Sequence, residues 1–238
     1  MKLLAIESSG LVASAAVFAD DTIVAEFTVN NKQTHSQTLL PMIDQVVTMS
    51  GIDLKEIDAI ATTSGPGSFT GLRIGAATAK GLGLALHKPI VPITTLEALA
   101  FRLAGREGNI CPMMDARRNQ VYAGVYRVGD MLLECVTGQK AVSIEDYIAE
   151  LNDLGDPVTV LGDGVPVFQE KIKQCEGLLY RFCADSVRYQ RASSVTALGK
   201  KYYEQGRQMK AAEFAPMYLR LSQAERERME KENITTRS

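Results

Sequence analysis

The 238-residue sequence contains no tryptophan and only two histidines, His35 and His87. Since these two are far apart, the chain has no His-x3-His pair, and a zinc or iron site built on such a pair is excluded. A structural role explains each histidine without catalysis or metal binding. His35 stands at the start of the first predicted helix, where it can cap or make a polar contact, and His87 lies near the end of the second, where a cation favours the helix dipole.

The four cysteines form no Cys-x2-Cys pair, and no apolar run reaches the roughly 18 residues that a membrane-spanning helix needs. We therefore expect reduced thiols in a cytoplasmic protein without signal peptide or membrane contact. The net charge is −2 and the pI about 5.8, so no overall basic field favours non-specific binding of nucleic acid. With 46% hydrophobic residues, the chain can bury a sizeable core.

What the sequence does contain is a glycine-rich stretch at 64–75, SGPGSFTGLRIG. It follows a segment with strand character and opens a helical run that continues to about Leu86. Backbone N–H groups at a helix start, beside glycines, can bind an anion. Two phosphate motifs do not fit, because Leu72 follows Gly71 where a Walker loop needs lysine, and Thr70 replaces the third glycine of a dinucleotide fingerprint. The stretch is therefore either a phosphate site or a structural turn.

Small residues recur every four positions along the helix that follows, at Gly71, Gly75, Ala79 and Gly83. This spacing places them on one slowly winding face that carries almost no side chain. Each glycine costs helix stability on the order of 1 kcal/mol relative to alanine, so close packing should compensate. We therefore predict that another backbone lies against this face: a partner's helix, the protein's own sheet, or both on different sides of the helix.

The hydrophobic pattern of the first half predicts the element order βββαβαβα. The predicted elements are strands at 2–7, 12–19 and 22–29, a helix at 35–50, a strand at 58–63, a helix at 70–86, a strand at 89–93 and a helix from Thr94 or Thr95 through Leu103. Three antiparallel strands that feed crossover helices onto parallel strands form a mixed α/β unit.

The second half repeats this outline more loosely. The predicted elements are strands at 110–115, 121–128, 131–142 and 158–161, helices at 143–151, 167–175 and 193–206, and an extended segment at 216–220. We predict two related subdomains, 1–106 and 107–220, the second degenerate, with the helix at 193–206 a candidate for packing back on the first. The tail at 221–238 carries charges that cancel, and we interpret it as a solvated, frayed helix.

Few residues are candidates for catalysis. Ser68 is not in a Gly-x-Ser-x-Gly elbow, and neither histidine belongs to a motif that pairs with it, so a hydrolase has little support. Glu7 ends the first strand and precedes Ser8-Ser9-Gly10. An acid at this place in actin-like and sugar-kinase-like ATPases holds hydrated magnesium and phosphate. The alternative is a hairpin turn with a solvated carboxylate.

Five segments together resemble the bacterial TsaB family, also called YeaZ, and the resemblance spans residues 1 to about 220. The segments are 4–9 (LAIESS), 35–41 (HSQTLLP), 64–75 (SGPGSFTGLRIG), 115–122 (DARRNQVY) and 216–220 (PMYLR). The resemblance implies the actin-like ATPase fold shared by acetate kinase, sugar kinases, Hsp70 and actin, an α/β fold with two related subdomains. It also implies a role in making N6-threonylcarbamoyladenosine at position 37 of tRNAs that read codons beginning with A.

In the pathway of this family, the paralogue TsaD performs the threonylcarbamoyl transfer, TsaB binds TsaD, and the ATPase TsaE joins the complex. The resemblance places Thr95 and Leu99 at the two metal-binding histidines of the paralogue, so both ligands are absent and we expect a non-catalytic chain. Glu7 stands where the family usually has Asp, so we expect no tightly bound cofactor, and ATP or ADP only within the complex. The candidate nucleotide-binding residues are Glu7, Ser9, Gly65 and Gly67.

The resemblance also gives two predicted helices a function. In the family, the counterparts of 35–50 and 70–86 pair with those of the paralogue in a four-helix interface, and a homodimer uses a related surface. The predicted interface residues are His35, Leu39, Leu40, Ile43, Val46, Val47, Gly71, Gly75, Ala79 and Gly83. Not all of them can face a partner, because a helix in an α/β layer must also cover its sheet.

Two hypotheses of different classes follow. The first is a non-catalytic scaffold that positions and activates the paralogous tRNA threonylcarbamoyltransferase, with tRNA bound mainly through the complex. The second is an active ATP-dependent kinase or transferase that uses Glu7 and the turn of Gly65 and Gly67. Arg117 and Arg118 are either solvated, in contact with a partner, or in contact with tRNA phosphates, and the sequence does not choose among these.

Overall fold

The computed structural model describes residues 1–31, 33–129 and 133–220. Its strands are β1 (Lys2–Glu7), β2 (Ala13–Ala19), β3 (Thr22–Val29), β4 (Ala59–Gly65), β5 (Ile90–Thr94), β6 (Asn109–Asp115), β7 (Gln120–Val128), β8 (Leu133–Ser143), β9 (Val158–Leu161) and β10 (Tyr180–Phe182). Its helices are α1 (His35–Ser50), α2 (Phe69–Leu86), α3 (Thr95–Phe101), α4 (Ile144–Asp153), α5 (Val165–Lys173) and α6 (Ala192–Glu204). The predicted tail at 221–238 and the first residues of the strand predicted at 131–142 lie outside the described residues.

The strands form two five-stranded sheets with the same internal order. The first sheet runs β3-β2-β1-β4-β5 and the second runs β8-β7-β6-β9-β10. In each sheet, the first three strands pair antiparallel and the other two join in parallel. The predicted α/β fold of two related units is therefore confirmed.

α1 and α2 pack side by side on one face of the first sheet. Ile43 of α1 and Ala79 of α2 join Leu4, Ile6 and Ile60 of the strands in one apolar cluster. Burying such side chains is the main favourable term in folding, at roughly 25 cal/mol per Å² of apolar surface. Both helices therefore turn their apolar stripes toward the sheet and present their other sides outward.

A second apolar cluster joins the two sheets through α3 and α6. It contains Ala61 of the first sheet, Leu161 of the second, Leu99 of α3 and Leu198 of α6. A Cβ added at Gly199 of α6 would lie 2.7 Å from the Cβ of Ala61, so this helix approaches the first sheet closely. α6 therefore packs on the first sheet although it follows the second in the chain, and α4 and α5 cover the far face of the second sheet.

The predicted helices and strands agree with the observed ones to within two residues at each end, and one observed strand was not predicted. α3 ends at Phe101, before the predicted Leu103, because the chain continues in turns with i→i+3 bonds such as Leu103 N–H to Ala100 O at 3.0 Å. α5 begins at Val165, before the predicted 167, and Pro166 suits its first turn because no helical partner is needed there. β10 was not predicted, since three residues are too few to show a period.

Among the described residues, no helix is both long enough and apolar enough to cross a membrane.

Candidate functional site

The carboxyl ends of four strands meet at one cleft between the two sheets. The cleft has a volume of about 540 Å³. It is lined by the turns that follow β1 and β4 in the first sheet, by the end of β6 and the turn after β9 in the second, and by the segment 217–220. Because parallel neighbouring strands end at the same edge, the repeated topology places equivalent turns on both sides of the cleft.

Glu7, the last residue of β1, does not face this cleft. Its side chain is fully buried, and its Oε1 accepts hydrogen bonds from the backbone N–H of Ser9, at 2.6 Å, and from the Ser9 hydroxyl. Burial raises the pKa of Glu7 to about 7, with a smaller contribution from the charge of Asp163, while the Ser9 hydrogen bonds oppose the rise. The Glu7 carboxylate is therefore neither solvated nor open to the cleft. The alternative given above, a hairpin turn with a solvated carboxylate, is wrong on this point.

The glycines of the β4–α2 turn approach other backbone closely. Gly65 has a φ of +118°, which favours glycine, and a Cβ on it would overlap the carbonyl oxygen of Met217. A Cβ on Gly67 would overlap the carbonyl oxygen of Ser9, and Ser68 N–H donates to that same oxygen at 2.7 Å. The space left by the missing side chains is thus filled by the protein itself. The structure therefore favours the structural turn over a phosphate cradle, and the residues as placed do not fit a magnesium nucleotide.

The segment 217–220, which we call the crossing segment, runs from the first sheet to the second over the cleft. Met217 N–H donates to Ser64 O at 2.6 Å, beside β4. The ring of Tyr218 lies 4.8 Å from the ring of Phe69, measured between centroids. At the other end, Arg220 Nη1 donates to Ala116 O at 2.7 Å. The crossing segment therefore bridges the turns of both sheets and occupies part of the cleft mouth.

Asp163 is the buried acid on the second side of the cleft. It follows β9, and its Oδ1 accepts from the backbone N–H of Asp115 at 3.1 Å. Burial raises the pKa of Asp163 to about 6, and the charge of Asp115 adds to the rise, while the hydrogen bond and Arg117 oppose it. Asp163 was not among the candidate residues identified from the sequence. The repeat of the two sheets is the signal that could have identified it. Gly162-Asp163-Gly164 follows β9 in the second sheet as Gly65-Pro66-Gly67 ends and follows β4, the equivalent strand of the first.

The turn between β6 and β7 is strained. Arg117, Arg118 and Asn119 have φ values of +64°, +54° and +60°, so three consecutive residues other than glycine adopt the left-handed conformation. Such residues cost on the order of 1–3 kcal/mol each and persist where surrounding contacts hold them. Here Asp115 accepts from Arg117 N–H at 2.8 Å, and the Asn119 amide donates to Glu145 at 2.7 Å. The turn is therefore held in place from both ends.

The small-residue stripe of α2 faces the interior of this chain. A Cβ on Gly71 would overlap the carbonyl oxygen of Ser8, and a Cβ on Gly75 would overlap the Ser8 hydroxyl. A Cβ on Gly83 would lie 2.8 Å from the Cβ of Ala211, while Ala79 is fully buried. Of the two neighbours predicted for this stripe, the protein's own backbone is therefore the one present. The prediction that these residues contact a partner needs correction, because the folded chain leaves no access to them.

The α1 residues predicted for the interface are mostly buried or half-buried as well, with one exception. Leu39, Ile43 and Val46 are buried against the first sheet and Val47 is half-buried. His35 is also half-buried, and its Nε2 lies 2.9 Å from Gly10 O, which is the polar contact expected from the sequence. Leu40 differs from all of these, since its side chain is 57% exposed.

The outward side of α2 carries a second set of small residues. Ala77, Gly81 and Ala85 are exposed at four-residue spacing, and Leu84 is 54% exposed. A Cβ added at Gly81 would have no heavy atom within 4 Å. This set, with Leu40 of α1, is accessible to a partner, and we call it the outer face. The interface itself stays a prediction.

The buried Glu7 predicts how stability depends on pH. Between its ordinary pKa of 4.5 and about 7, the unfolded chain has lost the Glu7 proton while the folded chain keeps it, so the free energy of unfolding falls as pH rises. Asp163 adds a loss of the same sign between 3.8 and about 6. Glu7→Gln should therefore be more stable than the parent at about pH 8 and depend less on pH, as measured by urea denaturation. An unchanged pH dependence in Glu7→Gln would contradict this assignment.

Comparisons with known proteins all identify proteins of tRNA threonylcarbamoyladenosine biosynthesis. Residues 22–228 match the family model "TsaD: tRNA N6-adenosine threonylcarbamoyltransferase". The chain is 32% identical to the tRNA threonylcarbamoyladenosine biosynthesis protein TsaB of Bacillus subtilis, over 94% of this chain and 96% of that protein. It is 29% identical to the TsaB of Escherichia coli, over 92% of this chain and 95% of that protein.

Solved structures give the same result for the fold. A Pseudomonas aeruginosa protein described as similar to peptidase YEAZ superposes with a TM-score of 0.78 at 25% identity, over 92% of this chain and 99% of that chain. A structure of YeaZ from the same organism gives a TM-score of 0.75 at 24% identity, over 91% and 100% of the two chains. The similarity therefore extends over nearly the whole length of the relatives.

Proposed function

This chain belongs to the TsaB (YeaZ) family of tRNA threonylcarbamoyladenosine biosynthesis, and from that premise we propose that it is a non-catalytic scaffold that binds and activates the transferase TsaD. The matching family model carries the transferase's name, so the two proteins share a fold over most of this chain. A shared fold supports pairing through equivalent helices. In this proposal, the ATPase TsaE joins the complex, a homodimer forms when the chain is alone, and tRNA binds mainly through the cytoplasmic complex.

The observation that carries the proposal is the position of Glu7. The carboxylate expected to hold a metal-bound phosphate is fully buried and bonded to Ser9 within its own turn. A group must reach its substrate, directly or through one water, to act on it. The crossing segment also occupies part of the cleft mouth. Both features support a cleft whose role is structural, namely to hold the two sheets together, and not to bind a nucleotide for reaction.

The residues at the paralogue's histidine positions support the same proposal. Thr95 and Leu99 are both fully buried, and Leu99 lies in the apolar cluster that joins the two sheets. A metal-bound substrate could not approach that place without disrupting the shared core. Over residues 1–31, 33–129 and 133–220, no three His, Cys, Asp or Glu side chains are grouped so that they could hold a metal ion.

The outer face supports the partner role. Exposed Leu40 and Leu84 supply apolar area, and Gly81 with its exposed alanine neighbours lets a second helix come close. Small residues beside larger apolar ones are suited to helix packing at interaxial distances of about 8–10 Å. The related surface of the transferase is the proposed partner of this face.

Reconstitution tests the proposed function. The purified chain alone should leave tRNA unmodified, and adding it to TsaD, TsaE, ATP, threonylcarbamoyl-adenylate and tRNA should restore threonylcarbamoyladenosine, as measured by nucleoside mass spectrometry. A mixture without this chain is the control. Full modification in that control would contradict the activator role.

A second candidate is an active ATP-dependent kinase or transferase, which the name of the matching family model favours. Calorimetry separates the two candidates. For a scaffold, titration of the isolated chain with Mg-ATP should give no micromolar binding, because Glu7 is closed off from the cleft. Micromolar binding that Glu7→Ala abolishes would favour the enzyme.

A further inference from the structure

Two arginines flank a pair of aromatic rings beside the mouth of the cleft. Cζ of Arg73 lies 5.2 Å from the centroid of the Phe69 ring, and that ring lies 4.8 Å from the ring of Tyr218. Two residues further on, Arg220 donates to the carbonyl oxygen of Ala116, next to the β6–β7 turn. A continuous row of contacts therefore runs from the first turn of α2 to the strained turn of the second sheet.

The strained turn adds two more arginines at the end of this row. Arg117 pairs with Asp115 at 3.0 Å, yet its side chain stays 80% exposed. Arg118 is exposed, and within the described part of the chain it makes no ion pair. Asp115 and Asn119 hold the backbone of the turn, so both guanidinium groups extend into solvent from a backbone of fixed conformation.

The charge of this surface is opposite to that of the chain as a whole. The protein carries a net charge of −2, whereas the row contains four arginines. Three acids among the described residues lie next to it: Asp115 is paired with Arg117, Glu145 is paired with Lys171, and Asp163 is buried. A local excess of positive charge on an acidic protein is typical of a binding site for a polyanion.

We propose that this surface, which we call the rim and which comprises Phe69, Arg73, Arg117, Arg118, Tyr218 and Arg220, binds a single-stranded stretch of RNA. The arginines contact phosphates, and the ring of Tyr218, which is 42% exposed, stacks on an unpaired base. Unpaired bases are recognised by stacking on aromatic rings and on guanidinium planes, which a duplex does not offer. The identity of the RNA as tRNA rests on the proposed function.

Binding of a labelled tRNA tests the rim. The full chain, alone and with TsaD, is titrated into a fluorescent, unmodified tRNA transcript at several salt concentrations, and anisotropy is measured. Arg118→Ala should weaken binding about three- to tenfold and lower the slope of log K against log salt by about 0.7, the value for one phosphate contact on a single strand. Tyr218→Leu should weaken binding without changing the slope, and Tyr218→Phe, which keeps the ring, should bind like the parent.

Arg181→Ala is the matched control, because Arg181 is an exposed arginine on β10, away from the rim. Parent-like binding by Arg118→Ala and Tyr218→Leu, or an equal loss in Arg181→Ala, would overturn the proposal. A loss of TsaD binding in Arg118→Ala with unchanged tRNA affinity would also overturn it, since the rim would then be a protein interface. If the chain fails to assemble with TsaD while Arg118→Ala still weakens tRNA binding, the rim is supported and the proposed function is contradicted.

Discussion

Gly71→Ala is expected to lower the free energy of unfolding by about 1–3 kcal/mol, because the new Cβ would overlap the Ser8 carbonyl oxygen. That oxygen belongs to backbone and cannot rotate away, so either α2 or the β1–β2 turn must shift. For a chain of this length, each kcal/mol lowers Tm by about 2–4 °C. Urea denaturation and a thermal melt at one pH measure the effect.

Gly81→Ala is the matched control for this substitution. Gly81 lies in the same helix, and an added Cβ meets no atom within 4 Å, so alanine should keep the protein as stable as the parent or stabilise it by up to about 1 kcal/mol. Opposite effects of the two substitutions are the expected result. Equal effects would show that helix propensity, and not contact with Ser8, determines the outcome at Gly71.

Gly81→Leu is expected to weaken binding to TsaD by roughly tenfold to a hundredfold while the chain stays folded. The exposed position accepts a larger side chain in the free protein, but a leucine would push away a closely packed helix. Overpacking of this kind costs typically 1–3 kcal/mol, and each 1.4 kcal/mol is a factor of ten in Kd. Calorimetric titration of TsaD into the variant measures the change.

Two controls separate this effect from loss of folding. The Tm of Gly81→Leu should match that of the parent, and Val167→Ala, at an exposed apolar position on α5 outside the outer face, should leave the Kd unchanged. Parent-like affinity of a folded Gly81→Leu protein would remove Gly81 from the interface. The homodimer, followed by size-exclusion chromatography, should weaken in parallel if it uses the same face.

Apart from β10, the sequence predicted which helices and strands form and in which order, because hydrophobic period and turn residues are local properties. It could not decide which way the small-residue face of α2 points. A spacing of four shows that Gly71 and Gly75 share a side, and the same spacing holds for Ala77 and Gly81 on another side. Only the packed structure, in which Ser8 lies under the first pair, tells the inner side from the outer one.

The cleft was harder to predict because its parts are distant in sequence. Glu7 was identified from its place at the end of β1, yet its burial depends on the surrounding fold and on Ser9. Asp163 lines the cleft from the turn after β9 in the second sheet. The crossing segment lines it from the last residues of the chain that the structure describes. Local patterns identified Glu7 but not Asp163, and they do not place such residues across a cleft from one another.

The position of α6 has a consequence for synthesis on the ribosome. The first sheet is complete in sequence at Thr94, but Leu198 and Gly199, which cover one of its faces, are translated about 100 residues later. At about 5–20 residues per second, the uncovered face stays open for about 5–20 s. A first sheet that folds before α6 is synthesised therefore exposes an apolar face to water during that interval.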